Sequence, residues 1–181
     1  NRIMELSLAE NILQKISGKP GKIRDVQVKP KVEHPPLAFD LTELQREANR
    51  RFGFSAKHTL SLTQSLYERH KLITYPRTDS RYITSDMTQT LLMRLQRIYI
   101  EPYKKLLEQL LKKPLNLGKH LVDDKKVRDH HAIIPTEQPV KLLDLGADER
   151  KVYDLIVRRF IAVLYPDHVY HAISMLTEVE G

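Results

Sequence analysis

Tyr75 and Arg77 stand two residues apart in the run Leu72-Ile73-Thr74-Tyr75-Pro76-Arg77-Thr78-Asp79-Ser80. A phenol titrates near 10, and a neighbouring cation that lowers its effective pKa makes it a usable nucleophile for phosphorus. A guanidinium fork matches the oxygens of a phosphate. Leu72 to Tyr75 reads as a short apolar strand, and in extended backbone a spacing of two puts both side chains on one face, about 6–7 Å apart. The pair suggests covalent chemistry on a phosphodiester. On spacing alone each residue also has a blander reading. A tyrosine that ends a strand commonly anchors a core with its hydroxyl wet, and an exposed arginine paired with Asp79 contributes about 0–1 kcal/mol.

A second group of candidates lies in His130-His131-Ala132-Ile133-Ile134-Pro135-Thr136. Adjacent histidines point apart in most backbones, and neither cysteines nor clustered carboxylates accompany them, so the pair does not read as a metal site. Thr78, Asp79 and Ser80 are short polar residues that shape turns, with Asp79 placed to orient Arg77. Gln45, Arg46, Arg50, Arg51, Lys57 and His58 are candidates to follow a polyanion backbone with salt-dependent affinity, or simply to form a solvated helix face.

Three stretches in this order, the Tyr75 run, the His130 run and Leu44-Gln45-Arg46-Glu47-Ala48-Asn49-Arg50-Arg51-Phe52-Gly53-Phe54-Ser55-Ala56 upstream, resemble type IA DNA topoisomerases. The resemblance spans about residues 36 to 136. It implies that Tyr75 is the nucleophile and stays on the 5′ phosphate of a cut single strand. It further implies that Arg77 clamps the phosphate, that His130 hydrogen-bonds the scissile or adjacent phosphate, and that Thr78, Asp79 and His131 lie near the DNA. One phosphodiester is traded for another, so no ATP is needed. The family also uses Mg2+, held by an acidic domain with a Glu and an Asp-x-Asp cluster that has no match in this sequence. The implied partners are therefore single-stranded DNA and the remaining domains of a longer parent, and the chain is expected to be inactive alone.

The elements that must position these residues can be read from periodicity and caps. Ser7-Leu8-Ala9-Glu10 has the spacing of a capping box ahead of a short helix, and Lys22 to Val32 alternates as a strand up to Pro35-Pro36. Asp40 caps a helix over about 41 to 52 that ends at Gly53, and Ser55 caps another leading into the Tyr75 strand. That order reads as a helix-turn-helix of winged-helix type. Ser85 caps a long helix interrupted at Pro102, residues 112 to 130 form a polar mobile loop, and a helix over about 148 to 164 precedes an extended run from His168 to Val179.

The expected fold is α+β, mainly α with small β elements. The resemblance implies a tyrosine-bearing winged-helix domain over residues 37–145, flanked by parts of a mainly β arch domain at 1–36 and 146–181. With 41% hydrophobic residues the chain can build a core, and with no cysteine it has neither disulfides nor thiolate metal sites. No run approaches the roughly 18 apolar residues of a membrane span, and no signal peptide is recognisable. The opening Asn1-Arg2-Ile3-Met4-Glu5 reads as the interior of something larger. The net charge of +7 favours a polyanionic partner. A cytoplasmic, DNA-associated monomer is expected. Two competing readings are a winged-helix DNA-binding module whose tyrosine merely packs, and a partner-binding domain that presents the leucine-rich segment 86–110.

Overall fold

The computed structural model describes residues 2–112 and 114–180, which fall into two compact units. The first comprises the chain up to Glu33 together with the segment from His168 onward, and the second spans His34–Asp167. On the C-terminal side the second unit runs on through residue 167.

In the first unit, helix α1 (Leu6–Ile16) is followed by strand β1 (Lys22–Glu33), which pairs antiparallel with β2 (His168–Glu178). The register runs from Lys22 opposite Glu178 to Glu33 opposite His168, with a bulge between Ile23 and Asp25. A two-stranded ribbon has no interior strand, which is why Pro30, with no N–H to donate, is tolerated opposite His171. The Ser7 capping box does not form. Helix α1 starts one residue before it, with Glu5 at the cap position and no side-chain cap bond. Its apolar stripe of Ile12, Leu13 and Ile16 is exposed within this unit.

In the second unit the local signals are obeyed closely. Asp40 accepts the Glu43 amide at 2.6 Å and opens α2 (Leu41–Phe52). Gly53, at φ +71°, closes it in the left-handed region that a Cβ would disfavour. Ser55 accepts the His58 amide at 3.1 Å and opens α3 (Ala56–Glu68). Two helices joined by a tight turn at Gly53 are therefore present. The small sheet expected beside them is reduced to isolated bridges, Phe39 to Ile133, Ile73 to Pro135 and Ile83 to Val122.

The long helix expected from Ser85 is divided. Residues 86–90 form a 3-10 turn, α4 spans Leu91–Arg97 and α5 spans Lys104–Leu110. Ser85 does not cap a helix because its amide and hydroxyl both engage Asp124 Oδ1, at 2.8 and 3.2 Å. The inward face is nevertheless the expected one: Met87, Leu91, Leu95 and Ile98 are all buried. Within the stretch expected to be a mobile loop, residues 121–123 are pinned. Leu121 is fully buried, the Ile83 amide donates to the Leu121 carbonyl at 2.9 Å, and the Asp123 amide donates to that of Ile83 at 3.1 Å.

Helix α6 (Ala147–Val163) supplies the centre of the core with Val152, Ile156, Val157, Phe160 and Val163, and it packs on α2, α3 and α5. Its N-terminus is fixed by one carboxylate. Glu149 accepts the Gly146 amide at 2.8 Å and the Ser65 hydroxyl of α3 at 2.6 Å, and lies 3.5 Å from His70. This attachment to α3 is what draws residues 146–167 into the second unit.

Partial burial pushes the Glu149 carboxyl up, but the Ser65, Gly146 and His70 interactions outweigh it and hold the group below its ordinary value. A depressed folded-state pKa stabilises above the unfolded value and loses that contribution as pH falls through the folded one. Glu149→Gln should therefore lower stability by about 1 kcal/mol at pH 7. In urea titrations the difference from wild type should shrink as pH drops below the ordinary glutamate range near 4.3. A difference independent of pH would disprove the ionic contribution.

Candidate active site

The site begins at an unusual backbone position. Lys71 adopts φ +58°, a conformation that disfavours side chains other than glycine by about 1–2 kcal/mol. It reverses the chain after α3, and the Leu72 amide donates back to the Leu66 carbonyl at 2.9 Å. The Thr136 hydroxyl holds the Lys71 carbonyl at 2.6 Å.

Residues 72–74 then run against 132–136. The Thr74 amide donates to Ile134 and the Thr136 amide to Leu72, each at 3.0 Å. Thr74 doubles the connection: its hydroxyl donates to the Ala132 carbonyl at 2.7 Å and accepts the Ile134 amide at 3.0 Å. Leu72, Ile73, Ala132, Ile133 and Ile134 are buried behind this seam.

The seam brings Tyr75 and His130 together. Their ring centroids lie 4.2 Å apart at 42°, and Tyr67 of α3 meets Tyr75 edge-on at 5.4 Å. Tyr75 is half-buried between them. The backbone bends at 74, 76 and 77, so Arg77 is not displayed beside Tyr75 on one extended face. The two residues are instead arranged around His130, Tyr75 by ring contact and Arg77 through a shared cleft of about 310 Å³. Arg77, Thr78, Asp79, Arg128, Asp129 and His130 line that cleft.

Thr78, buried, ties the two loops that form it. Its hydroxyl donates to the His130 carbonyl at 3.1 Å and accepts the Ser80 amide at 3.0 Å, while the Thr78 carbonyl takes the Leu41 amide at the start of α2. A second brace is Arg94 of α4, which donates to the Pro135 carbonyl at 2.7 Å and to Thr90 at 3.0 Å and pairs with Glu137. Burial lowers the Arg94 pKa, against the field of Glu137. His131 turns away from the cleft. Its Nδ1 is buried without a hydrogen-bond partner among the described residues, and burial lowers its pKa, so the neutral form is favoured there.

The remaining candidates separate by how they are engaged. Arg46 pairs with Glu43, and Arg50 and Arg51 both pair with Glu47. Partial burial raises the Glu47 carboxyl, but its bonds to Arg51 and Arg50 prevail and hold it below the ordinary range. Gln45 donates to the Ala56 carbonyl at 3.2 Å, and His58 lies 3.1 Å from Asp148. Among the described residues, Lys57, Arg77 and Arg128 have no carboxylate within ion-pair distance, and Asp79 does not pair with Arg77. Sequence reasoning did not single out Arg128, Thr74, Arg94 or Tyr67. Proximity of Arg128 to His130 was the one signal available.

A family model described as DNA topoisomerase matches residues 1–181. The chain belongs to the DNA topoisomerase family. It is 47% identical over 180 residues to DNA topoisomerase 3 of Bacillus licheniformis and 46% identical to that of Bacillus subtilis, covering 99% of this chain and 25% of each relative. The resemblance read from the Tyr75 and His130 runs is thus borne out at the level of the family. The chain spans about a quarter of the length of these relatives. The fold is similar to a solved structure of full-length topoisomerase I from Thermotoga maritima, with a TM-score of 0.70, 22% identity, and coverage of 99% of this chain and 28% of that one.

No helix among the described residues is long and apolar enough to cross a membrane. Nor do three or more His, Asp or Glu side chains among them converge as a metal-ligand set.

Thr78→Val keeps the shape of the side chain and removes both of its bonds. It should release the 128–132 segment, with amide exchange there rising roughly fivefold for the loss of about 1 kcal/mol. Hydrogen–deuterium exchange read by peptide would show this, and a change confined to 78–80 would mean that the two loops are not coupled through Thr78.

Proposed function

We propose that this chain is the tyrosine-bearing part of a type IA DNA topoisomerase, and that Tyr75 cuts and rejoins single-stranded DNA through a 5′-phosphotyrosine. The observation that carries this reading is the 4.2 Å ring contact of Tyr75 with His130 beside a cleft that contains Arg77. The Tyr75 oxygen attacks phosphorus, the bond to the 3′ oxygen breaks, and a phosphodiester to tyrosine replaces the one in DNA. The phenolic proton leaves to the His130 imidazole or to water, and the departing 3′ oxygen gains one. Arg77 stabilises the charge on the equatorial oxygens, and His130 donates to the same phosphate.

Resealing is the reverse transfer and needs no ATP. Magnesium, with its ligands in another part of the parent protein, would supply further charge neutralisation when bound. The parent would pass a second strand through the gap and act on DNA in the cytoplasm. The helix-turn-helix of α2 and α3, followed by the 72–74 seam, supports a winged-helix type of scaffold, and the ribbon of β1 and β2 supports an arch-domain origin for the first unit.

A non-catalytic DNA-binding module would read DNA through helix faces. On α2, however, the cations Arg46, Arg50 and Arg51 are already engaged by Glu43 and Glu47, whereas Arg77 is not paired among the described residues. Arg77, close to the tyrosine in the chain, thus keeps its guanidinium available to a phosphate.

The reading is tested by grafting this chain in place of the matching quarter of the Bacillus subtilis relative. A 3′-labelled single-stranded oligonucleotide and magnesium are added, and label that stays with protein after denaturation is measured. The unaltered graft should give an adduct, Tyr75→Phe should give none while still binding the oligonucleotide, and Arg77→Ala should slow adduct formation by about 100-fold. An adduct that persists in Tyr75→Phe would assign the nucleophile elsewhere.

A further inference from the structure

We propose that Arg128 holds the phosphate next to the scissile one, so that the 77–79 turn and the 128–130 loop grip two successive phosphates of a single strand. The inference rests on Tyr75 being the nucleophile and adds a second phosphate subsite to that centre. Its basis is the cleft shared by Arg77, Arg128 and His130. Arg128 is exposed, and among the described residues it makes no ion pair and no side-chain hydrogen bond, although it lies in a protein where many other arginines are engaged.

A guanidinium left without a carboxylate has five donors for an incoming anion. Asp79 and Asp129 line the same cleft and repel phosphate, which leaves Arg77, Arg128 and His130 as the groups there that favour one. The loop carrying Arg128 is not free to drift. Thr78 holds the His130 carbonyl, and Ser80 donates its hydroxyl to the Lys126 carbonyl at 3.0 Å, so the turn after Tyr75 fixes the residues on both sides of Arg128. Arg77 and Arg128 therefore project from two loops that are hydrogen-bonded to each other, which suits a ligand with regularly spaced charges.

The test uses the grafted full-length protein in a Tyr75→Phe background, so that binding is read without cleavage. Oligonucleotides carry a single neutral methylphosphonate at successive positions around the cut site. Arg128→Ala should weaken binding of the unmodified strand about tenfold. It should also reduce the slope of log affinity against log salt by about 0.7. Arg128→Lys should restore the slope. On the one oligonucleotide whose neutral linkage adjoins the scissile phosphate, wild type and Arg128→Ala should bind alike, a coincidence that general loop disorder would not produce.

A tenfold loss that persists at every methylphosphonate position, or no loss at all, would overturn the Arg128 subsite. If the graft with Tyr75 intact still forms its adduct in that case, only this inference fails. If that graft forms no adduct, the reading of Tyr75 fails with it.

Discussion

The geometry of the site depends on the hydrogen-bonded seam between residues 72–74 and 132–136. Tyr75 and His130 are far apart in sequence and sit on turns, where no helix or strand fixes a side chain by periodicity. What fixes them is that Thr74 makes backbone and side-chain bonds to Ile134 and Ala132, with a row of fully buried aliphatic residues beneath. Each such bond is worth about 1 kcal/mol net, but leaving its partners unpaired in a buried setting would cost about 1–3 kcal/mol. The asymmetry makes the seam hard to open partway, and an all-or-none contact positions rings better than a flexible one.

Charge takes its meaning from the same arrangement. A net charge of +7 says only that a polyanion would be attracted. The structure shows that α2 neutralises its own cations at spacings of three and four residues, where exposed pairs contribute little to stability yet occupy the donors. At the cleft, Arg77 and Arg128 share space with Asp79 and Asp129 without pairing. Under the proposed function, cations that are available but balanced nearby let the strand go once it is rejoined, whereas a purely basic cleft would hold it.

The local features were legible in the sequence because they rest on local bonds. Asp40, Gly53 and Ser55 act where they were expected to act, since a cap is decided within four residues. Long-range competition erased others. Ser85 looks like a cap until Asp124 takes both of its polar groups, and the helix expected there breaks into a 3-10 turn and two short pieces. Helix α6 was visible from its period, but the bond from the Ser65 hydroxyl to Glu149 that attaches it to α3 was not. The tyrosine and the histidine were singled out through the family resemblance, and the seam brings their rings into contact. Arg128 carried no periodic or motif signal, and only the folded cleft shows what it stands beside.

Two unfavourable features lie against this site, and both follow from its design. Lys71 is held in the left-handed region immediately before the seam, and His131 keeps a buried nitrogen without a partner immediately after His130. Either would relax if its neighbours allowed it. Lys71 cannot, because its carbonyl is held by Thr136 and the following amide by Leu66. His131 precedes Ala132, whose full burial fixes the backbone that carries the imidazole. Locally costly conformations persist only where the surroundings over-determine them. Here the surroundings are the seam and the Arg94 brace, so the stability of the α-helical core is what keeps His130 against Tyr75.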